Sequence, residues 1–154
     1  MRITLLIIFT WSVPASAWEG RVTKVLDGDS FRVRHGRTIE NIRLYGIDTP
    51  EYGQAGWQHA KKKTSALVKG ARVSIQPMDV DRYGRTVALA SIGGKLLNAE
   101  LVRGGWAWVY PRYCHAQPLC RQMEVLEKDA RTYRRGIWQQ KYPVPPWVWK
   151  HRTH

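Results

Sequence analysis

Arg43-Leu44-Tyr45-Gly46-Ile47-Asp48-Thr49-Pro50-Glu51 places a cation on an alternating run, then two carboxylates three residues apart across a proline. Alternation is the signature of a strand with one face buried, so if Leu44 faces a core, Arg43 points the other way. Proline disfavours helix at the residue before it, and Gly53 and Gly56 permit unusual dihedrals, so the chain leaves the strand and Asp48 to Gly56 is predicted to be a loop.

Working back from this stretch, Thr38 to Ile47 is one strand and His35-Gly36-Arg37 is the turn into it. Phe31 and Val33 alternate with Arg32 and Arg34 in a second strand, and Arg21 to Leu26 forms a third, ended by Asp27-Gly28-Asp29. These three make a meander. Forward of the loop the apolar spacing changes to a helical one over Trp57 to Lys69, with Trp57, Ala60, Thr64, Leu67 and Val68 on one face and Gly70 just past the end. Lys61, Lys62 and Lys63 lie mostly off that face, as a solvated surface or as phosphate contacts. Strands return at Arg72 to Pro77 and Thr86 to Ile92, with Val73, Ile75, Val87 and Leu89 expected inward. Gly93-Gly94 suits a hairpin into Lys95 to Leu97. Asn98 is placed to cap a short helix over Ala99 to Arg103, which Gly104-Gly105 ends. After the aromatic run Trp106 to Tyr113, a helix begins near Leu119, carries Met123, Leu126, Ala130 and Tyr133 as its stripe, and stops at Gly136. Tyr142 to Trp149 holds three prolines and two tryptophans and is expected to lie extended across the domain, with a proline-rich partner motif as the alternative. Five strands with an interposed helix fit a mainly β fold with α, a five-stranded OB-fold (Greek-key) barrel with about three helices.

The N-terminus reads differently. Met1-Arg2 is basic, Ile3 to Val13 almost wholly apolar, and Ala15-Ser16-Ala17 an A-x-A cleavage pattern, which together predict a signal peptide over 1–17 and a secreted or periplasmic protein. Eleven apolar residues are too few for the ~20 that span a bilayer, so no membrane anchor is expected after cleavage. Removing seventeen residues from 154 leaves 137, one ordinary domain: an OB-like unit over 18–139 and a Pro/Trp-rich tail over 140–154. Lys and Arg number 25 against 12 Asp and Glu, a formal net charge of +13 that attracts polyanions or anionic membranes and also favours solubility. No obligate protein partner is evident. The two cysteines, Cys114 and Cys120, are an even pair close in sequence and in an exported chain read as a disulfide. A lone C-x5-C pair lacks zinc-site spacing.

In this basic chain, four of the twelve acids fall in Asp27-Gly28-Asp29 and Asp48-Thr49-Pro50-Glu51. Carboxylates from two adjoining segments are the oxygen donors a hard divalent cation takes. Arg43 and Arg85 add guanidinium groups that can each bond two phosphate oxygens and stay charged at any usable pH. Acids for a metal beside cations for a phosphate point to metal-assisted phosphodiester chemistry.

Four ordered motifs carry a resemblance: Asp27-Gly28-Asp29-Ser30, Ile42 to Glu51, Asp81-Arg82-Tyr83-Gly84-Arg85, and Asn98-Ala99-Glu100-Leu101-Val102-Arg103-Gly104-Gly105. In order and spacing, from about Val22 to Trp138, they resemble the staphylococcal nuclease (thermonuclease) family, as an exported Gram-negative-type member. The resemblance implies an OB-fold barrel, calcium dependence and hydrolysis of DNA and RNA. It makes Asp29 and Asp48 calcium ligands with the backbone carbonyl of Thr49, and Glu51 the general base for the attacking water. It makes Arg43 and Arg85 the transition-state arginines and Tyr83 a neighbour of the nucleotide. Tyr110 and Tyr113 are candidates for base stacking, and Lys61 and Lys62 for substrate contact. Only Tyr52-Gly53-Gln54-Ala55-Gly56 separates Glu51 from the helix, where the staphylococcal enzyme has a longer lysine-rich loop. A non-catalytic nucleic-acid-binding OB module is the alternative; such a module has no need of clustered carboxylates, which repel phosphate.

Overall fold

The structure, a computed structural model, describes residues 16–153, so the apolar run and nearly all of the expected signal segment lie outside the described residues. Three strands, β1 (Trp18–Asp27), β2 (Ser30–His35) and β3 (Thr38–Leu44), form the expected antiparallel meander. A two-residue strand β4 (Ile47–Asp48) and helix α1 (Trp57–Val68) follow, then β5 (Arg72–Val80) and β6 (Thr86–Ile92). The hydrogen-bonded order is β3-β2-β1-β5-β6, and β6 returns to pair in parallel with β3 through Ile42–Thr86, Arg43–Val87 and Leu44–Ala88. That pairing closes a five-stranded mixed barrel of the OB type and leaves none of the five with a fully open edge. Its interior holds Val22, Phe31, Val33, Ile42, Leu44, Val73, Ile75, Ala88 and Ala90, contributed at alternate positions of each strand.

Past the barrel come β7 (Lys95–Leu96), α2 (Leu97–Arg103), β8 (Trp108–Val109), α3 (Leu119–Thr132), a 3-10 turn (Gly136–Gln139) and α4 (Pro146–Thr153). Leu97, Leu101, Val102 and Met123 extend the barrel core toward α2 and α3. A second cluster of Trp108, Ala130, Ile137 and Trp138 lies beside it, and Trp147 of α4 packs on that cluster.

Several expectations are corrected. The strand expected over Thr38 to Ile47 breaks at Tyr45-Gly46. Gly46 has φ +71°, and a Cβ there would stand 2.6 Å from the Cys114 sulfur, so glycine makes the corner that turns Asp48 inward. Asp48 is thus a strand residue, paired with Trp108, and not the first residue of a loop. In β6 the inward side chains are Ala88 and Ala90, with Val87 and Leu89 only half-buried; a parity offset of one residue moves every side chain to the other face. Asn98 is no cap. Fully buried in α2, its side chain accepts from the Ala90 N–H (3.1 Å) and donates to the Tyr45 (3.0 Å) and Ala88 (3.3 Å) carbonyls. Leu67 and Tyr133 are exposed ends of their stripes, while Glu127 of α3 is buried and accepts from the Val109 N–H at 2.9 Å. From Pro146 the tail is helical where extended chain was expected, and four α-helices stand among the described residues. Pro143 and Pro145 precede α4, and Pro146 occupies its first turn, where a missing N–H removes no helical hydrogen bond.

Candidate active site

The acidic turn between β1 and β2 is held from two sides. The Gly28 carbonyl accepts from the buried Thr64 hydroxyl of α1, and Asp27 accepts from the Trp57 indole N–H at 3.2 Å. A Cβ on Gly28 would lie 2.8 Å from Thr49 Oγ1, so only glycine lets Thr49 close over the turn. Asp29 Oδ2 then accepts both the Thr49 N–H (2.8 Å) and its hydroxyl (2.7 Å). These bonds tie the DGD turn to the Asp48-Thr49 segment, as its two groups of acids required.

Arg43, projecting out of the barrel core from β3, bridges the two aspartates: its guanidinium is 3.1 Å from Asp29 Oδ2 and 2.7 Å from Asp48 Oδ1. Asp48 is 1% exposed, and burial pushes its carboxyl up to about 7, with Arg43 opposing and Asp29 adding to the rise. Burial works against the charge of Arg43, but the surrounding carboxylates, Asp29 first, outweigh it and hold its pKa above the ordinary value. One guanidinium cannot neutralise two carboxylates. Asp48 Oδ2 is also buried without a hydrogen-bond partner among the described residues, and such a group is costly unless something binds it. Paired oxygens with residual negative charge and an unused acceptor suit a hard divalent cation. Among the described residues no cluster of three or more His, Cys, Asp or Glu forms.

Above this floor lies a cavity of about 170 Å³, reached by Asp29 and Arg43 from below and rimmed by Glu51, Tyr83, Arg85 and Lys150. Arg85 is held by Asp81, which accepts its Nε–H at 2.7 Å and its backbone N–H at 3.0 Å. Slight burial would raise the Asp81 carboxyl, but these bonds and the Tyr83 N–H hold it below the usual carboxylate range. Tyr83 is exposed, with the Arg82 and Arg85 guanidiniums 4.8 and 5.5 Å from its ring centre. Glu51 is paired at 2.6 Å with Lys150 of α4. Burial opposes the charge of Lys150, while Asp48 and the bond to Glu51 raise its pKa on balance.

The remaining candidates lie elsewhere. Lys61 sits over the Trp57 ring at 5.5 Å, Lys62 is exposed on α1, and neither lines the cavity. Tyr110 stacks on Trp147 of α4 (4.5 Å, interplanar 8°) and meets the exposed Tyr113 edge-on at 4.8 Å. Cys114 and Cys120 form a disulfide, with sulfurs 2.02 Å apart, and the Tyr45 hydroxyl accepts from the His115 and Ala116 N–H groups inside its loop. A larger, shallower depression of about 390 Å³ at the start of α1 carries no carboxylate, lysine or arginine. Sequence reasoning missed Asp81 as the holder of Arg85, although its place in a D-R-Y-G-R turn signals a side chain bonding its own backbone. It also missed Lys150 and Trp147, for which no local signal exists.

Residues 41–140 match the family model described as staphylococcal nuclease homologue. The chain is 39% identical over 149 residues to an uncharacterized endonuclease of Escherichia coli O157:H7, covering 96% of this chain and 95% of that protein. It is 36% identical over 154 residues to the micrococcal nuclease of Shigella flexneri (94% and 87% covered) and 32% identical over 154 residues to Protein ParB of Escherichia coli (92% and 86% covered).

Proposed function

The chain belongs to the staphylococcal nuclease family, and from that premise we propose that it is a calcium-dependent endonuclease hydrolysing phosphodiester bonds of DNA and RNA with low sequence specificity. The observation that carries this reading is the Arg43 fork across Asp29 and Asp48, with one oxygen of Asp48 buried and unpartnered among the described residues, beside a cavity lined by Asp29, Arg43, Glu51 and Arg85. A module that only binds nucleic acid gains nothing by burying two carboxylates beside a cavity lined with cations.

In this reading Asp29, Asp48 and the Thr49 carbonyl hold calcium, which when bound withdraws charge from the phosphate. Arg43, already fixed in place, meets a phosphate oxygen without reorganising, and Arg85 turns from Asp81 to a second oxygen as charge develops there. Glu51 accepts a proton from water as the water oxygen bonds phosphorus and the bond to the leaving ribose oxygen breaks. Tyr83 flanks the nucleotide. Tyr110, Tyr113, Lys61 and Lys62, outside the cavity, act on more distant nucleotides. The net charge of +13 draws the polyanion in.

Export follows from the N-terminal pattern, and a disulfide is at home in an oxidising compartment. We take 1–17 as a cleaved signal, 18–139 as the nuclease domain and 140–154 as a tail docked on it. No described helix is long and apolar enough to cross a membrane. The test is incubation of the protein with supercoiled plasmid and with RNA, in calcium, in zinc and in chelator. Nicking of both substrates in calcium, weaker with zinc and abolished by chelator, is expected; full activity in chelator refutes the metal role.

A further inference from the structure

We propose that Lys150, delivered by the C-terminal helix α4, is a third phosphate-binding cation of this active site and positions Glu51 within it. The inference rests on the nuclease reading above. Its first support is location: the Lys150 ammonium lies 2.6 Å from Glu51 Oε1, and the residue lines the same cavity as Asp29, Arg43 and Arg85. An ammonium on a flexible stem can keep one hydrogen bond to a carboxylate and offer its others to a phosphate oxygen, since it has three donors. Its side chain is about half exposed at the rim, so the remaining donors are open to substrate.

The second support is that the tail is built to hold Lys150 there. Gln54, buried in the short segment after Glu51, accepts from the Glu51 N–H (3.0 Å) and donates to the Val144 carbonyl (2.6 Å), linking the base-bearing loop to the tail. The Gln140 side chain donates to the Ala55 carbonyl at 3.3 Å. Three prolines limit the freedom of the approach, and Pro146 is buried. Trp147 stacks on Tyr110 and packs on the second hydrophobic cluster, one helical turn before Lys150. Residues three apart share a helix face, so seating Trp147 on Tyr110 and the second cluster aims Lys150 at the cavity. A tail so fixed is a constant part of the site and not a cover that must leave before substrate enters.

The test compares the wild type with Lys150→Ala, Lys150→Arg and Trp147→Ala in the full chain, reading single-turnover cleavage, single-stranded oligonucleotide binding across a salt series in calcium, and Tm. Lys150→Ala should lose at least tenfold in kcat/KM at unchanged Tm. Its binding slope against log salt should fall by about 0.7, one phosphate contact on a single strand. Lys150→Arg should recover most of both, and Trp147→Ala should reproduce the loss in part. A Lys150→Ala enzyme as fast as the wild type, or faster, overturns the proposal, the latter making α4 an inhibitory plug. So does a loss that arginine does not rescue with an unchanged salt slope. A wild type that cleaves nothing would refute the nuclease reading instead, while the salt slopes would still report whether Lys150 meets phosphate.

Discussion

The floor and the rim of the cavity are made in opposite ways. On the floor, Asp29, Asp48 and Thr49 are buried, Arg43 is largely covered, and the four are mutually bonded and carried by adjacent strands and turns of the barrel. On the rim, Glu51, Arg85 and Lys150 are one-third to one-half exposed, each has a single charged partner, and they come from a loop, a hairpin turn and a distant helix. The difference teaches a division of labour. In the proposed mechanism the floor, fixed by the fold, would hold the metal, whereas groups that follow charge moving during reaction keep room to exchange partners.

Removing the base should give the largest effect. Glu51→Gln is expected to slow single-turnover cleavage by ~10² to 10⁴, typical for general-base loss, while a calcium titration stays near wild type. Asp48→Asn should do the reverse to the titration and weaken calcium. Wild-type cleavage by Glu51→Gln would erase the distinction between rim and floor.

Arginine-to-lysine pairs sharpen it. Arg85→Lys should cost about 10² in kcat/KM, the scale of losing one donor to developing charge, with Tm unchanged. Arg43→Lys should lose activity and Tm together, because an ammonium cannot bridge Asp29 and Asp48 as the fork does. Equal Tm for both variants would show that the floor is no more structural than the rim.

Reduction of Cys114–Cys120 reaches neither region directly. In denaturant unfolding it should lower stability by about 2 kcal/mol, the chain-entropy value for so short a loop, and leave cleavage at moderate temperature intact. Loss of activity without loss of fold would place the disulfide loop in the site. The smallest effect is expected from Lys62→Gln on α1, away from the cavity: a slightly weaker oligonucleotide affinity at low salt and an unchanged kcat, measured beside Lys150→Ala.

Much of the floor was legible in the sequence. Alternation of Phe31 and Val33 with Arg32 and Arg34 marked the inward side of β2, and the short turns between β1, β2 and β3 bring Asp29, Arg43 and Asp48 together over a small span of chain. Leu44 inward and Arg43 outward followed from side-chain parity alone. Parity failed in β6, where an alanine and a leucine fit the inward pattern equally well and the barrel's closure, not the local run, selects Ala88 and Ala90. Asn98 read as a cap because asparagine favours caps, yet its side chain satisfies three backbone groups that only meet when α2 packs between β6 and the Tyr45 corner.

The sequence by itself determined the barrel strands, the acidic and basic residues of the site, the cysteine pair and the family, because periodicity, turn chemistry and ordered motifs are local properties of the chain. Only the tertiary structure decided that the prolyl-tryptophan tail turns helical at Pro146, that Trp147 covers Tyr110 and that Lys150 reaches Glu51. Those contacts join residues far apart in sequence, and their positions follow from burial of Trp147 on a cluster that does not exist until α3, β8 and the 3-10 turn have packed.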